Sequence, residues 1–504
     1  MEYLFLTGAT GLLGSYLLRD LLNAGTKLAV LVRSTRFASA RQRVDAIMAR
    51  WEKQAGHALP RPVVLEGDLS SPNLGLDDDT LRWVSLNCKA FMHNAASLTF
   101  QSESGDNRLP NDEPWRSNLY GTQNVLEFCK TAGIREFHHV STAYVCGLRE
   151  DRVFENELDV GQTFGNDYEI SKSESETMVR NADFLDSLTV YRPGIIFGDA
   201  QTGYTSTYHG FYVPLKLVAT LIAKTAGIGV SRDLLIEGIA AAGKRLREVL
   251  NFTGSEVKHY VPVDWVSAVM AGVYSNTAQH GQTYHLTPSE GVRVEVTQDV
   301  MEKAILKYAE LTPPEKISET PIDWEEFEAF FIDGMSVYRS YWRNDPQFDD
   351  SNTRRAMPNL PCPVLDEALL NRMCKFAVES NFGWPVEPMV KPNIDLQTHL
   401  DRLPSRTNNN HRGAEPVFLG LQVNGHGGGQ WELTVRGGEV VGAAQGLSGR
   451  CTATYYLNSK TFECLTTRDS TVDDALLAGR VLIEGNGVPL PELTRLLETV
   501  ATSQ

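Results

Sequence analysis

Over roughly the first 200 residues, short β-rich runs alternate with longer segments that carry apolar side chains at helical spacing. The predicted strands are Glu2–Thr7, Leu28–Val32, Val63–Glu66, Ala90–His93, Phe137–Ser141 and Leu188–Arg192. The predicted helices between them are Leu12–Ala24, Arg36–Trp51, Asp79–Asn87, Trp115–Ala132 and Tyr168–Asp183. Because parallel strands need crossover connections, this alternation predicts an α/β fold: a doubly wound parallel sheet with helices on both faces.

From about residue 200 to residue 385 the pattern becomes helix-rich, which predicts a substrate-side subdomain rather than more sheet. The predicted helices there are Val213–Thr225, Ser231–Leu250, Val263–Ser275 and Thr297–Leu311. The proline-rich stretch Trp384–Pro416 is typical of a linker, with one short helix around Ile394–Leu403.

Beyond the linker, alternating apolar and polar residues separated by glycine-rich turns predict an antiparallel meander. Its strands are Val417–Val423, Gly429–Val435, Glu439–Ala444 and Cys451–Leu457. Two helices, Val472–Ala478 and Leu490–Val500, flank a strand at Arg480–Glu484, which completes a small α+β domain. The predicted organisation is a dinucleotide-binding domain with its substrate subdomain (1–290), a helical extension (291–385), a linker (386–415) and a terminal domain (416–504).

Composition narrows the function classes. The 504 residues are 42% hydrophobic and 22% charged, as in globular proteins, and the net charge of −16 argues against a nucleic-acid or anionic-membrane partner. The seven cysteines form no C-x-x-C pair, so neither a zinc site nor a disulfide framework is predicted. The apolar run Val213–Ile228 is interrupted by Lys216 and Lys224, so no integral membrane segment is expected. A soluble, cytoplasmic protein is predicted.

A glycine-rich motif, Thr7–Gly14, follows the first predicted strand and opens the first helix. Gly8 allows the tight turn, Gly11 lets the backbone approach a pyrophosphate, and Gly14 lets helix and strand pack closely. The helix N-terminus then faces the anion. This context predicts a Rossmann-type nucleotide site in which Thr10, Leu12 and Leu13 complete the binding loop.

The second predicted strand ends at Arg33, where NAD-binding folds usually place an acid. With Arg43 on the next helix, Arg33 can pair with a 2′-phosphate, so NADPH is favoured over NADH. Further cofactor contacts are predicted after the third and fourth strands, at Asp68, Leu69, Asn94 and Ala95.

Tyr168 and Lys172 place a phenol and an ammonium one turn apart on the same face of a helix. A carbonyl that accepts a hydride needs a proton donor, and a nearby ammonium lowers the pKa of a phenol. Thr142, at the preceding strand end, can donate a second hydrogen bond to the carbonyl oxygen. A second Tyr-x-x-x-Lys, Tyr212 to Lys216, contains a proline and has no Ser/Thr-rich strand end before it, which argues against it.

Cys146 supports a competing hypothesis, because a thiolate near a nucleotide could form a thiohemiacetal during aldehyde or thioester chemistry. No histidine stands out as its base, so a buried small hydrophobic residue is the favoured interpretation. His138 and His139 are interpreted as strand residues, and no metal site is predicted.

Residues 1–290 resemble the extended short-chain dehydrogenase/reductases, in the branch of fatty acyl-CoA reductases and terminal thioester reductases. The residues that carry the resemblance are Thr7–Gly14, Arg33 with Ala40–Arg43, Val140–Tyr144, Tyr168–Lys172, Arg192–Asp199 with Thr202–Gly203, and His259–Asp264. The resemblance implies NADPH, hydride transfer to a thioester carbonyl, catalysis by Thr142, Tyr168 and Lys172, and cofactor contacts from Lys172, Pro193, Gly194 and Ile195.

Residues from about 415 to 500 resemble the sterol-carrier-protein-2-like (SCP2-like) domains, in the segments Val423–Trp431 and Leu477–Gly485. This resemblance implies a lipid or acyl chain held between sheet and helices. A domain that only braces the reductase or forms a homodimer stays an open alternative.

Three functions follow from these patterns. The first is an NADPH-dependent reductase that converts an acyl thioester, on CoA or an acyl carrier protein, to an aldehyde or alcohol. The second is an NADP-dependent dehydrogenase or ketoreductase acting on a hydrophobic alcohol or ketone. The third is a non-catalytic lipid carrier, against which the intact set Thr142, Tyr168 and Lys172 argues.

Overall fold

The computed structural model forms two compact units, Met1–Phe376 and Ala377–Gln504. The described residues are 2–35, 38–101, 108–226, 244, 247–248, 253–308, 324–383, 415–424, 428–437, 439–448, 450–472, 475 and 480–485. Four predicted helices lie wholly or largely outside them, namely Ser231–Leu250, Ile394–Leu403, Val472–Ala478 and Leu490–Val500.

The first unit is built on a seven-stranded parallel sheet, which confirms the predicted fold class. Its strands are β1 (Tyr3–Thr7), β2 (Leu28–Val32), β3 (Val63–Glu66), β4 (Cys88–His93), β5 (Glu136–Val140), β6 (Ser187–Pro193) and β10 (Thr283–Leu286). Their order, β10-β6-β5-β4-β1-β2-β3, contains the doubly wound arrangement of dinucleotide-binding folds, with the reversal of strand order between β1 and β4. The carboxyl ends of β1 to β6 therefore meet at one edge.

The seventh strand corrects the prediction that the sheet ends before residue 200. Thr283–Leu286 pairs with β6 and is buried on both faces, so it carries no alternating pattern that would identify it as a strand. A run of four residues that includes a buried histidine is too short for hydrophobic periodicity to identify it as a strand.

Five helices connect the first six strands: α1 (Leu12–Asn23), α2 (Ala40–Ala55), α3 (Asp78–Asn87), α4 (Gly121–Ala132) and α5 (Asp167–Arg180). Helix α2 begins four residues later than predicted, because Ser39 and Gln42 form a reciprocal capping box at its start. The predicted helix Trp115–Ala132 is a π-helical turn, Arg116–Tyr120, followed by α4. Apolar side chains on alternate faces of β1 supply two cores, with Leu4 and Leu6 on one side and Phe5 on the other.

The rest of the unit is helix-rich, as predicted. The helices are α6 (Tyr212–Ala226), α7 (Val263–Ser275), α8 (Val294–Tyr308), α9 (Trp324–Met335), α10 (Ser351–Ala356) and α11 (Glu367–Glu379). Two small sheets pair β7 (Ile195–Phe197) with β9 (Tyr260–Pro262) and β8 (Val257–Lys258) with β11 (Val292–Arg293). Among the described residues, no helix has both the length and the apolar character needed to cross a bilayer.

The second unit has a five-stranded mixed sheet ordered β14-β13-β12-β15-β16. The strands are β12 (Val417–Asn424), β13 (Gly429–Arg436), β14 (Glu439–Gln445), β15 (Ala453–Asn458) and β16 (Val481–Gly485). The predicted meander is wrong at β15, which pairs with β12 in parallel. Alternation indicates that a strand exists and which face is buried, but not the direction of its neighbour. An unpredicted helix, α12 (Ser459–Thr466), is capped by Asn458 and covers the core with Phe462 and Leu465.

Candidate functional site

A cavity of about 740 Å³ lies at the carboxyl edge of the parallel sheet, within the first unit. Every residue predicted to bind the cofactor or the carbonyl contributes to its wall. These are Gly8, Thr10, Gly11, Leu12, Leu13, Gly14, Arg33, Arg43, Asp68, Leu69, Asn94, Ala95, Thr142, Tyr168, Lys172, Pro193, Gly194 and Ile195. The cavity therefore brings together residues from the ends of six strands, where ligands of open α/β sheets bind.

The glycine-rich loop leaves no room for side chains at two of its positions. Gly8 has a φ of +72°, and a Cβ there would lie 2.7 Å from the backbone nitrogen of Ala95. A Cβ on Gly14 would lie 1.9 Å from the carbonyl oxygen of Gly8. Gly11 forms the N-cap of α1 and donates its N–H to the Gly8 carbonyl at 3.0 Å. The loop thus presents the first amides of α1 to the cavity, as pyrophosphate binding requires.

A buried polar chain fixes this loop against its neighbours. The Thr122 hydroxyl donates to the carbonyl of Asn118 at 2.6 Å, so it accepts from Nε2–H of His93 at 3.1 Å. His93 Nδ1 then accepts from the hydroxyl of Thr7 at 2.9 Å, which leaves the Thr7 oxygen to accept two backbone amides after β4. Burial lowers the pKa of His93 to about 3, which keeps the ring neutral.

Sequence reasoning missed His93, because a histidine at a strand end has no local feature that separates a connector from an ordinary core residue. Its two partners, Thr7 and Thr122, are 86 and 29 residues away along the chain.

Cationic side chains surround the outer end of the nucleotide part of the cavity. Arg43 donates to the carbonyl of Arg33 at 2.6 Å and to the hydroxyl of Thr10 at 3.0 Å. Burial and the neighbouring charge of Arg33 lower the pKa of Arg43. Asp68 lies 3.7 Å from the guanidinium of Arg33 and 3.8 Å from that of Arg116, a residue that the sequence did not single out. The guanidinium groups of Arg33 and Arg43 repel each other, so together they form a site suited to an anion.

At the middle of the cavity, Lys172 and Tyr168 extend from α5 beside the end of β5. Lys172 donates to the carbonyl of Val140 at 2.7 Å, and burial lowers the pKa of its ammonium to about 8. Burial raises the pKa of Tyr168 to about 12, opposed by a hydrogen bond with the hydroxyl of Thr142. Burial therefore outweighs the predicted lowering of the phenol's pKa, and the phenol stays protonated at neutral pH.

Asn118, in the π-helical turn before α4, braces this part of α5. Its amide donates to the hydroxyl of Ser171 at 3.0 Å, and its two other hydrogen bonds join both backbone polar groups of Ser97. Ser171 lies between Tyr168 and Lys172 in the sequence, so the contact fixes the helix turn that carries both. One feature of the sequence points to Asn118: asparagine is a poor helix former, yet this residue lies inside a predicted helix.

The part of the cavity wall that the helical subdomain contributes is largely apolar, although Gln298 and Glu302 of α8 also belong to it. The apolar side chains of the wall come from α6, α8, α9 and the segment after β4, among them Leu98, Leu215, Met301, Ile305, Phe331 and Met335. The pattern along the chain could not distinguish these residues from core residues, because a helix face that lines a cavity and one that packs in a core have the same periodicity.

The rejected alternatives occupy other places. Tyr212 accepts the backbone N–H of Gly198 at 2.9 Å and makes a contact of 3.7 Å with the sulfur of Met373, and it is not part of the cavity wall. Cys146 packs among Ala143, Val153 and Phe348, and burial raises its pKa to about 12. A thiol with that pKa has almost no thiolate at neutral pH, which favours the interpretation of Cys146 as a core residue.

Comparison with known proteins agrees with this geometry. A family model described as Male sterility protein, an NAD-binding domain, matches residues 6–270. The chain is 27% identical over 413 residues to an aldehyde reductase from Aspergillus flavus, covering 74% of this chain and 36% of that protein. It is 26% identical over 306 residues to a carboxylic acid reductase from Mycobacterium marinum, covering 56% of this chain and 24% of that protein. The chain thus spans about a third of the length of such relatives or less.

Two solved structures share the fold. The terminal R domain from the myxalamid PKS-NRPS biosynthetic pathway has a TM-score of 0.56 at 23% identity, covering 76% of this chain and 92% of that one. The reductase domain of a nonribosomal peptide synthetase from Mycobacterium tuberculosis has a TM-score of 0.51 at 20% identity, covering 75% and 91%.

Proposed function

The chain belongs to the Male sterility protein family of NAD-binding oxidoreductases, and from that premise we propose that it reduces an acyl thioester with NADPH, giving an aldehyde or an alcohol. The acyl group arrives on CoA or on a carrier protein. One observation carries the proposal: a single cavity is lined by the glycine-rich loop, by Thr142, Tyr168 and Lys172, and by an apolar wall. Two relatives, an aldehyde reductase and a carboxylic acid reductase, support the oxidation level of the substrate.

The residues of the cavity fit a dinucleotide. Gly8 and Gly14 leave space that a Cβ would fill, and the N-terminus of α1 offers unpaired backbone donors to a pyrophosphate. Arg33 and Arg43 both lie in the cavity wall and supply two guanidinium groups for a 2′-phosphate, which supports NADPH over NADH. When bound, the nicotinamide supplies a hydride.

Around the substrate, the protein stabilises the charge that develops on the carbonyl oxygen. The protonated phenol of Tyr168 and the hydroxyl of Thr142 donate hydrogen bonds to that oxygen, and the ammonium of Lys172 lies on the same helix face. Hydride addition to the thioester carbon and protonation of the oxygen give a hemithioacetal. Its collapse breaks the carbon–sulfur bond, so one thioester, one NADPH and one proton yield one aldehyde, one thiol and one NADP⁺. A second hydride transfer would give the alcohol.

The apolar wall supports a hydrophobic acyl group. It is formed by side chains such as Met301, Ile305, Phe331 and Met335, and these lie in the same cavity as Tyr168. Burial of each methylene of an acyl chain there is worth about 0.8 kcal/mol, so affinity should rise with chain length until the wall is filled.

The second unit keeps its predicted role as a separate proposal. We propose that residues 416–504 form an SCP2-like domain that binds a lipid or an acyl chain. The homodimer is the alternative role. The cytoplasmic location and the domain boundaries at residues 290, 385 and 415 also stay predictions. Within the described part of that unit, the apolar sheet face packs against Phe462 and Leu465 of α12, which is equally what a structural core requires.

The test follows NADPH absorbance and free thiol together in the purified chain, with acyl-CoA and acyl-pantetheine substrates from short to long, and with matching ketones and aldehydes. We expect thiol release in a fixed ratio to NADPH loss, one to one for an aldehyde product and one to two for an alcohol. If NADPH is oxidised only with ketones and no free thiol appears, the chain is instead an NADP-dependent dehydrogenase or ketoreductase. If the chain binds NADPH but turns over none of these substrates, the non-catalytic lipid carrier is favoured.

A further inference from the structure

Three metal-ligating side chains meet at the amino edge of the parallel sheet, at the opposite end of the strands from the cavity. Glu136 and His138 are two residues apart on β5 and therefore project from the same face. His280 follows the 3₁₀ turn Thr277–Gln279 and lies next to them. The carboxylate oxygen of Glu136 is 3.1 Å from Nε2 of His138 and 3.3 Å from Nδ1 of His280. Sequence reasoning interpreted His138 as a strand residue and predicted no metal site.

The hydrogen bonds of the outer ring nitrogens determine where the protons lie. Nε2 of His280 is 3.0 Å from the carbonyl oxygen of Tyr274, which can only accept, so this nitrogen carries the hydrogen. In the neutral ring, Nδ1 of His280 then directs a lone pair at a carboxylate oxygen of Glu136. Two lone pairs 3.3 Å apart repel each other unless a proton or a metal cation lies between them.

We propose that Glu136, His138 and His280 bind a divalent transition-metal ion of the zinc class. Tetrahedral bonds of about 2.0–2.2 Å to nitrogen and oxygen place neighbouring ligand atoms about 3.3–3.6 Å apart, close to the two distances observed. Two histidines and one carboxylate form a donor set that such ions prefer. The side chain of Glu136 is 34% exposed whereas that of His138 is fully buried, so water can reach the cluster from the side of Glu136.

The surroundings match the outer partners of a metal site. Each ligating histidine has an oxygen at its second nitrogen: the carbonyl of Tyr274 for His280, and the hydroxyl of Tyr191, at 3.1 Å, for His138. Such partners fix the tautomer and orient the ring.

The location indicates a structural metal. Glu136 and His138 belong to β5, whereas His280 belongs to the connection that leads from α7 into the unpredicted edge strand β10. A shared metal ion would tie that connection to β5, and its stabilisation of the folded chain would grow with the logarithm of the metal concentration divided by Kd.

The experiment uses the full chain, stripped with EDTA and dialysed, then titrated with Zn²⁺ by calorimetry and with Co²⁺ by visible absorption. We expect one equivalent of Zn²⁺ at this site, a rise in Tm with Zn²⁺, and intense Co²⁺ bands of tetrahedral type between about 500 and 650 nm. Glu136→Gln and His280→Asn should each weaken Zn²⁺ binding by about 10-fold or more and remove the Co²⁺ bands.

His57→Asn is the matched control, because His57 is exposed and is not a member of the cluster. It should leave stoichiometry, affinity and spectrum unchanged, and far-UV circular dichroism with NADPH binding shows whether each variant is folded. Absence of bound Zn²⁺ in the native chain would overturn the proposal in favour of a protonated His280 paired with Glu136. Folded Glu136→Gln and His280→Asn chains that keep the native affinity and bands would overturn it too, by placing the metal elsewhere.

Discussion

The two edges of the same parallel sheet present opposite chemistry. At the carboxyl edge the cavity wall contains many donors and cations, namely the first amides of α1, Arg33, Arg43, the Lys172 ammonium and the Tyr168 phenol, beside the carboxylate of Asp68. At the amino edge potential metal ligands converge, with a carboxylate oxygen of Glu136 and one ring nitrogen each from His138 and His280 within 4.8 Å of one another. Strand β5 contributes to both, through Val140 at one end and Glu136 at the other.

This difference shows that polar residues alone do not determine which ligand a site can bind. The ligand is determined by whether hydrogen-bond donors or acceptors point into the site. Converging donors suit phosphates and a carbonyl oxygen that gains negative charge, whereas converging acceptors suit a cation. The carboxyl edge also receives the helix N-termini of the doubly wound fold, which add positive potential there.

Removal of the proton donor should have the largest effect. Tyr168→Phe keeps the ring but removes the hydroxyl, and we expect turnover to fall about 10²- to 10⁴-fold, the usual contribution of a positioned general acid. Affinity for NADPH should stay within about two-fold, since the hydroxyl is assigned to the carbonyl rather than to the nucleotide. Tyr212→Phe is the matched control from the second Tyr-x-x-x-Lys, and stopped-flow NADPH oxidation measures both. Native turnover in Tyr168→Phe would remove this residue from the mechanism.

Crowding of the glycine-rich loop should come next. Gly8→Ala places a methyl group 2.7 Å from the Ala95 backbone, and we expect NADPH affinity to fall about 10- to 100-fold, equivalent to an overpacking cost of ~1–3 kcal/mol. Gly56→Ala is the control: Gly56 has a φ of +74°, close to the +72° of Gly8, but no atom within 4 Å of a Cβ. Fluorescence titration of NADPH separates contact from backbone strain. Equal losses in both variants would assign the effect to strain alone.

The arginine pair should control the choice of cofactor. Arg33→Ala removes one of two guanidinium groups expected at the 2′-phosphate, so the ratio of kcat/KM for NADPH over NADH should fall about 10- to 100-fold, in line with the ~1.5–3 kcal/mol of a charged hydrogen bond. Arg82→Ala, on the exposed face of α3, controls for the loss of a positive charge. A preference for NADPH that survives Arg33→Ala would contradict the assignment.

The two edges should respond to pH in opposite directions, with effects of several-fold. Because the pKa of Lys172 is about 8, the ammonium loses its proton as pH rises through 8, and kcat/KM should fall there. The folded pKa is below the usual value of 10.5, so the folded chain binds fewer protons than the unfolded chain between these values. This group's contribution to stability therefore increases from about pH 8 to 10.5.

Metal affinity at the amino edge should instead rise with pH, since imidazole and carboxylate bind metal only when deprotonated. Parallel profiles of kcat/KM and Zn²⁺ affinity measure both edges on one sample. Lys172→Arg is the control for the first profile, because a guanidinium stays charged and should remove the decline near pH 8. A decline that persists in that variant would assign it to another group.

Much of the carboxyl edge could be predicted from the sequence because its requirements are local. The backbone demands of the nucleotide loop are encoded in eight consecutive residues, Thr7–Gly14, and the phenol and ammonium are placed by helical spacing within α5. The strand-end position of Thr142 and Arg33 follows from reading each strand in turn. For these residues, the alternation of strands and helices was sufficient to place them at one edge.

The sequence by itself therefore determined the parallel sheet, the glycine-rich turn and the pairing of Tyr168 with Lys172. Only the tertiary structure decided which distant residues meet: Thr7 with His93, Asn118 with Ser171, and Glu136 with His280. It also decided that β10 joins the sheet and that β15 runs parallel to β12. Hydrophobic periodicity records which face of an element is buried but not what it is buried against. Partners far apart in the chain are selected by packing and by the need to satisfy buried polar groups, and neither leaves a local pattern.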